Sequence, residues 1–358
     1  MKLAFYAPLK SPNHPVPSGD RAMARALLSA LKSGKHEITL ASELRIYDPT
    51  GSLETQSELR KAAHQEIDRI LAQGKSREWQ VWMTYHNYYK APDLIGPAVA
   101  QALKIPYILA EATRAKKRLN GPWAEFAKDA EAACDAAAAI MYLTARDAKA
   151  LHRDAPDGQH LVHLHPFLDR HTLPHASSGT GPMLCVAMMR HGDKLASYQL
   201  IADTLQSMPH QDWKLDIAGD GPAADQVKNM MTPFKSRIKF HGALDHEAIA
   251  KLYGQASLLF WPGVNEAFGL AYLEAQAAGV PVVAQDRPGV RDVTHGNHPD
   301  PQDGTQPLVT AILSLIGDPE LRQTRAIQAR KYVQDNHLSG TATQTLNSVL
   351  AQVTGHQI

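Results

Sequence analysis

Two cysteines in 358 residues are too few for a disulfide framework. Cys134 falls in an Ala-rich helical stretch and Cys185 in an apolar strand-like run, so both read as buried thiols, a usage that fits a cytoplasmic chain. Charge of one sign is also lacking: 37 Lys and Arg against 36 Asp and Glu leave a net +1, with no global drive toward nucleic acid. No apolar run approaches the roughly 18 residues that a membrane span needs, so any membrane contact is peripheral, at the inner face. The opening MKLAFYAPL reads as a short strand running into a Pro-rich loop rather than as a signal peptide. Aromatics are scarce, at 6%, whereas Ala and the aliphatics dominate, as expected for α/β layers.

What the chain does have is a regular alternation of short apolar strands with Ala/Leu-rich helices, which predicts parallel sheets covered on both faces. A length of 358 residues favours two domains. Strands are expected at 2–6, 37–41, 81–85, 107–110, 139–143 and 160–163, then at 183–188, 214–218, 238–241, 258–261 and 280–284. PHASSGTGP, residues 174–182, has linker composition and divides a domain over 1–173 from one over 183–335, with a terminal helix in 336–358. The first half is mildly basic, the second mildly acidic.

The most informative segment is PGVNEAFGLAYLEAQAAGVPVVA, residues 262–284. Gly263 and Asn265 mark a loop, residues 268–278 are rich in helix formers, and Gly279 ends the helix before an extended apolar run. Glu266 then sits at the helix mouth and Glu274 inside the helix, about 12 Å apart if the eight residues between them are helical. The backbone N–H groups of Ala267, Phe268, Gly269 and Leu270 lack a partner one turn back and, with the helix dipole, favour a phosphate. One carboxylate is placed to hold sugar hydroxyls, the other a ribose.

Other constellations are less decisive. Arg190 and Lys194 lie between a strand and a helix, at the carboxyl edge where open α/β sheets bind ligands. Gly19 opens a helix after a Pro-rich loop, where Ser18 or Asp20 can also serve as a cap. LDIAGDGP reads as a structural tight turn. The run Arg114, Lys116, Lys117 and Arg118, with Trp123 close behind, reads as a solvated face or as a contact for an anionic acceptor or membrane surface. His160, His163 and His165 lack a nearby Cys or acidic third ligand, which argues against a metal.

The pattern Glu266-x7-Glu274 followed by AQAAGVPVVA resembles the donor site of retaining glycosyltransferase family 4, the glycosyl transferases group 1. The resemblance implies the GT-B fold: two Rossmann-like parallel-sheet domains facing across a cleft, with the C-terminal helix crossing back to the first. It implies a hexose transferred from a UDP- or GDP-sugar to a glycan, lipid or small-molecule hydroxyl, without an essential metal or other cofactor. Glu266, Arg190 and Lys194 take the catalytic positions; Gly19 and Glu274 belong to the donor site, and the peptide groups of Gly242 to Leu244 are placed against the base. Family members often carry a His after the Ile-Pro strand, whereas here Glu111 and Ala112 fall near that place and His86 is the candidate to approach instead, with Arg114 also on the acceptor side. The chain also departs from the pattern at His191 and Leu195, and after Val283, where a Gly-x-Leu-Val strand is missing. A catalytically silent nucleotide- or glycan-binding subunit, and less favourably a sugar-nucleotide epimerase, are the alternatives.

Overall fold

The computed structural model describes residues 1–16, 18–209 and 213–355. They form two compact units, one of Met1–Asp169 with Ser339–Ile358, the other of Arg170–Leu338.

The first unit holds six parallel strands, β1 (Lys2–Tyr6), β2 (Glu37–Leu40), β3 (Val81–Asn87), β4 (Tyr107–Ala112), β5 (Ala139–Tyr142) and β6 (His160–His163), in the order β2-β1-β3-β4-β5-β6. Helices α1 (Gly19–Ser33), α2 (Leu53–Ala72), α3 (Gly96–Leu103), α4 (Ala124–Ala136) and α5 (Ala145–Asp154) supply the crossovers. The central strands β3 and β4 are almost wholly buried, which is why they read as largely apolar runs, with Thr84, His86, Asn87 and Glu111 the polar exceptions. The order reverses between β1 and β3, so their carboxyl ends form the switch point where such sheets take ligands.

The second unit holds five parallel strands, β7 (Met183–Val186), β8 (Leu215–Ala218), β9 (Ile238–Gly242), β10 (Leu259–Phe260) and β11 (Val282–Val283), in the order β11-β10-β7-β8-β9. Its switch point is between β7 and β10. Its helices are α6 (Asp193–Gln206), α7 (Ala224–Met231), α8 (His246–Tyr253), α9 (Leu270–Ala277), α10 (Gln306–Gly317) and α11 (Pro319–Asn336). Among the described residues no strand follows β11, in keeping with the missing Gly-x-Leu-Val segment.

Helix α12 (Ser339–Thr354) belongs to the first unit and lies against α1: the Thr343 hydroxyl donates to the Ala30 carbonyl (3.1 Å), and His36 Nε2 lies 2.9 Å from Asn347 Oδ1. The Ser/Gly-rich stretch 174–182 is laid onto the second unit. Its Ser177, Ser178 and Gly181 N–H groups donate to the carbonyls of Ala278, Gly254 and Gln255. Polar composition here marks a surface strap whose backbone needs partners.

Cys134 and Cys185 are buried and unpaired, and burial pushes both thiols up to about 12. The His163 and His165 rings lie 4.0 Å apart at a tilt of 49°, Tyr142 stacks on His163, and among the described residues no group of three His, Cys, Asp or Glu side chains is set to hold a metal ion. Among them, too, no helix is long and apolar enough to cross a membrane.

Candidate functional site

In the second unit, the chain leaving β7 and the chain leaving β10 meet at the switch point. Gly219 and Gly221 shape the first of these exits: a Cβ on either would fall 1.9 Å from the Ala187 carbonyl oxygen or 2.4 Å from that of Met189. The LDIAGDGP turn is thus structural, and it holds residues 187–189 beneath Arg190, with Ala223 N–H donating to the Met189 carbonyl. Arg190 is exposed and has no ion pair among the described residues. Lys194, the second residue of α6, reaches the Glu266 carboxylate and lies 5.3 Å from the Trp261 ring centre. Trp261 Nε1 donates to the same Glu266 oxygen at 2.8 Å. A cation, a carboxylate and an indole from three segments are therefore fixed together, the Glu266 side chain only 10% exposed.

The loop carrying Glu266 is tied down on two sides. Val264 N–H donates to Ser197 Oγ (2.9 Å) and Asn265 Nδ2 to Asp193 Oδ2 (2.9 Å), both on α6. On the other side Gly289 presses against it: a Cβ there would sit 2.0 Å from the Ala267 carbonyl oxygen and 2.6 Å from that of Glu266, at a φ of 85°. Gly289→Ala should strain this backbone by about 1–3 kcal/mol and displace the loop. We expect the variant to melt lower by roughly 2–4 °C per kcal/mol of that strain; an unchanged melting temperature would contradict this close approach.

The helix itself starts later than the sequence suggests. Gly269, at φ 76°, is the cap, and α9 begins at Leu270. Glu266 and Glu274 are not joined by eight residues of helix, so the 12 Å spacing expected from helical rise does not apply. The N–H groups of Ala267, Phe268, Gly269 and Leu270 make no hydrogen bond among the described residues. Phe268 is buried as the anchor of the turn. Glu274, within α9, accepts from the Tyr253 hydroxyl at 3.2 Å, and burial raises its carboxyl above the usual range. At the end of β9, Gly242 adopts φ 68° with open space where a Cβ would be, and Leu244 follows before α8.

The first unit gathers a second group at its own switch point. His86 and Glu111 are each the last residue but one of β3 and β4, both with left-handed backbone (φ 67° and 61°). His86 Nδ1 is 3.1 Å from Asp20 Oδ1 at the start of α1, and Nε2 is 4.0 Å from Glu111 Oε1. Burial works against a charged imidazole, but Glu111 and Asp20 outweigh it and bring His86 up to about 9. Burial holds the Glu111 carboxyl above its ordinary range. Gly19 faces open space, and the Ser18 side chain caps α1 by accepting from Arg21 N–H. Arg21 and Arg25, four apart on α1, donate to the loop carbonyls of His14, Pro15 and Pro12.

Because the folded pKa of His86 lies above the ordinary value near 6.5, its charge stabilises the fold below about pH 6.5, and this is lost as pH rises through 9. The shift corresponds to up to about 3 kcal/mol. Between pH 6 and 9.5 the wild type should lose roughly 5–10 °C more in melting temperature than His86→Gln. Parallel curves for the two proteins would refute the ion cluster.

Arg114 does not face an acceptor. Its side chain is 2% exposed and bonded to Glu131 (2.8 Å) and Asp135 (2.6 Å), where it braces α4. Sequence reasoning also missed Trp261, Ser197 and Gly289, and read Asn265 only as a loop residue. Trp261 alone had a signal, as a large polar-tipped aromatic at a strand end beside a loop of interest.

Residues 190–332 match the glycosyl transferases group 1 family. That segment belongs to this family. Among curated relatives, an alpha-D-kanosaminyltransferase of Streptomyces kanamyceticus is 24% identical over 263 residues, 68% of either chain. A D-inositol 3-phosphate glycosyltransferase of Corynebacterium efficiens is 30% identical over 163 residues, 43% of this chain and 38% of that protein. Among solved structures, a sucrose-phosphate synthase of Thermosynechococcus elongatus superposes with a TM-score of 0.75 at 16% identity, covering 99% of both chains. Anabaena HepE, solved with UDP-glucose, gives 0.72 at 15% identity over 98% of this chain and 100% of that one. The fold is GT-B, and the family match lies within the second unit.

Proposed function

We propose that this chain transfers a hexose from a UDP- or GDP-sugar to a hydroxyl of a glycan, lipid or small molecule, with retention at the anomeric carbon. The observation that carries this is the Lys194–Glu266–Trp261 cluster at the β7/β10 switch point, beside the unpartnered N–H groups of residues 267–270. Glu266 orients the sugar hydroxyls and stabilises positive charge at the ring. The free N–H groups, Arg190 and a Lys194 released from Glu266 take the diphosphate, whose charge grows as the glycosidic bond breaks. Glu274 holds the ribose, and the backbone of Gly242 to Leu244 the base. Support for the donor comes from HepE, which was solved with UDP-glucose.

The bond from the anomeric carbon to the diphosphate breaks as the acceptor oxygen attacks the same face, and the acceptor proton passes to a departing diphosphate oxygen. No protein nucleophile is required in this scheme. Helix ends and cations carry the diphosphate charge without an essential metal. His86 and Glu111, at the switch point of the first unit, are assigned to the acceptor side. The reaction is placed in the cytoplasm. Incubation of nucleotide sugars with an acceptor panel tests the reading: transfer that vanishes in Glu266→Ala supports it, whereas nucleotide binding with no turnover across the panel makes the chain a silent binding subunit.

A further inference from the structure

The basic run of residues 114–118 does not form one patch. Arg114 is neutralised by Glu131 and Asp135, and Lys116 by Asp154 (2.9 Å). Arg118 turns the other way and lies over Tyr89 (4.9 Å) and Trp123 (5.7 Å), rings that stand edge-on to each other at 5.7 Å. Lys90 comes to the same two rings from the turn after β3, at 5.9 and 5.0 Å. Two cations thus share one aromatic pair. Neither has an ion pair or side-chain hydrogen bond among the described residues, and Arg118 Nε is shut off from solvent without a partner. Asp48 is near in the chain fold, but its carboxylate is consumed by Thr50, Gly51 and Gln56.

The pair is held rigidly. Trp123 Nε1 donates to the Asp48 carbonyl (2.9 Å), Asp48 N–H to the Lys90 carbonyl (2.9 Å), and Asn87 Oδ1 accepts from Asp93 N–H across the turn (2.9 Å). The ring of Tyr88 links this turn to His86, 4.8 Å away centre to centre. The cations therefore flank the candidate acceptor group at the carboxyl ends of β3 and β4. Like charges gathered about one ring pair repel each other, and a doubly charged oxyanion that reaches both relieves that repulsion.

We infer that Lys90 and Arg118 form a subsite for a phosphoryl group on the acceptor. This rests on the transferase reading, whose acceptor it specifies. The phosphoryl group is supplied by a soluble sugar or polyol phosphate or by an anionic lipid headgroup.

The test uses the full chain. Glucose 6-phosphate, fructose 6-phosphate and inositol 1-phosphate are titrated beside their unphosphorylated parents, with phosphatidic acid vesicles against phosphatidylcholine vesicles as a second arm. Binding of the phosphorylated partner at least tenfold tighter than its parent, and weakened at least tenfold by Arg118→Gln or Lys90→Gln, supports the subsite. The arm that responds names the source. Equal binding of phosphorylated and parent compounds, or no effect of either substitution in protein that still melts like wild type, overturns it. A thermal shift with UDP and GDP runs in parallel: a chain that binds phosphorylated compounds as stated but no nucleotide would keep the subsite and sink the transferase reading. Nucleotide binding without phosphoryl preference would do the reverse.

Discussion

Glu266→Ala is expected to lower the rate of hexose transfer by on the order of 10²- to 10³-fold, the scale seen when one fixed electrostatic group is removed from a developing charge. The carboxylate is the common partner of Lys194 and Trp261, so alanine also leaves the buried indole N–H unsatisfied, at about 1–3 kcal/mol. A loss of activity through simple loosening of the loop must therefore be separated from a loss of chemistry. Glu266→Gln does this, because its amide oxygen still accepts from Trp261 Nε1 while the negative charge is gone. It should melt close to wild type yet turn over almost as poorly as the alanine variant. If the glutamine variant transfers at near the wild-type rate, the charge on Glu266 has no part in the reaction.

Lys194→Ala carries the second large effect, a fall in kcat of about 10²-fold, because a cation assigned to the departing diphosphate is removed. Its present partner is Glu266, so the two substitutions share one interaction and should not be additive. The double variant should lose less than the product of the single losses. A donor with a less basic leaving group needs less help, and Lys194→Ala should impair its use less. Steady-state rates for the two donors check this; equal impairment of both would remove Lys194 from leaving-group stabilisation.

Much of this was legible in the chain. Parallel strands buried on both faces must be largely apolar, so β1, β3, β4 and β7 stand out by composition alone. The segment around Glu266 declared itself through its loop residues and the Gly279 stop. What was hidden depends on contacts made after folding. Nothing local tells that Lys194 meets a carboxylate 72 positions away, or that Gly289 presses on Ala267. The delayed start of α9 comes from Gly269 and its left-handed backbone, in a stretch otherwise rich in helix formers. The basic run misled because it is not one patch: carboxylates on α4 and α5 neutralise Arg114 and Lys116, while Arg118 turns to the Tyr89–Trp123 pair. His86, Glu111 and Asp20 converge only because the sheet order places the ends of β1, β3 and β4 side by side.

The central claim is that the loop before α9, with Lys194, holds a nucleotide diphosphate sugar. Calorimetric titration of the full chain with UDP, GDP and their hexose conjugates tests it most directly. One base class should bind at a single site and lose affinity in Gly289→Ala and Lys194→Ala; no binding by any of these nucleotides or nucleotide sugars would contradict the account.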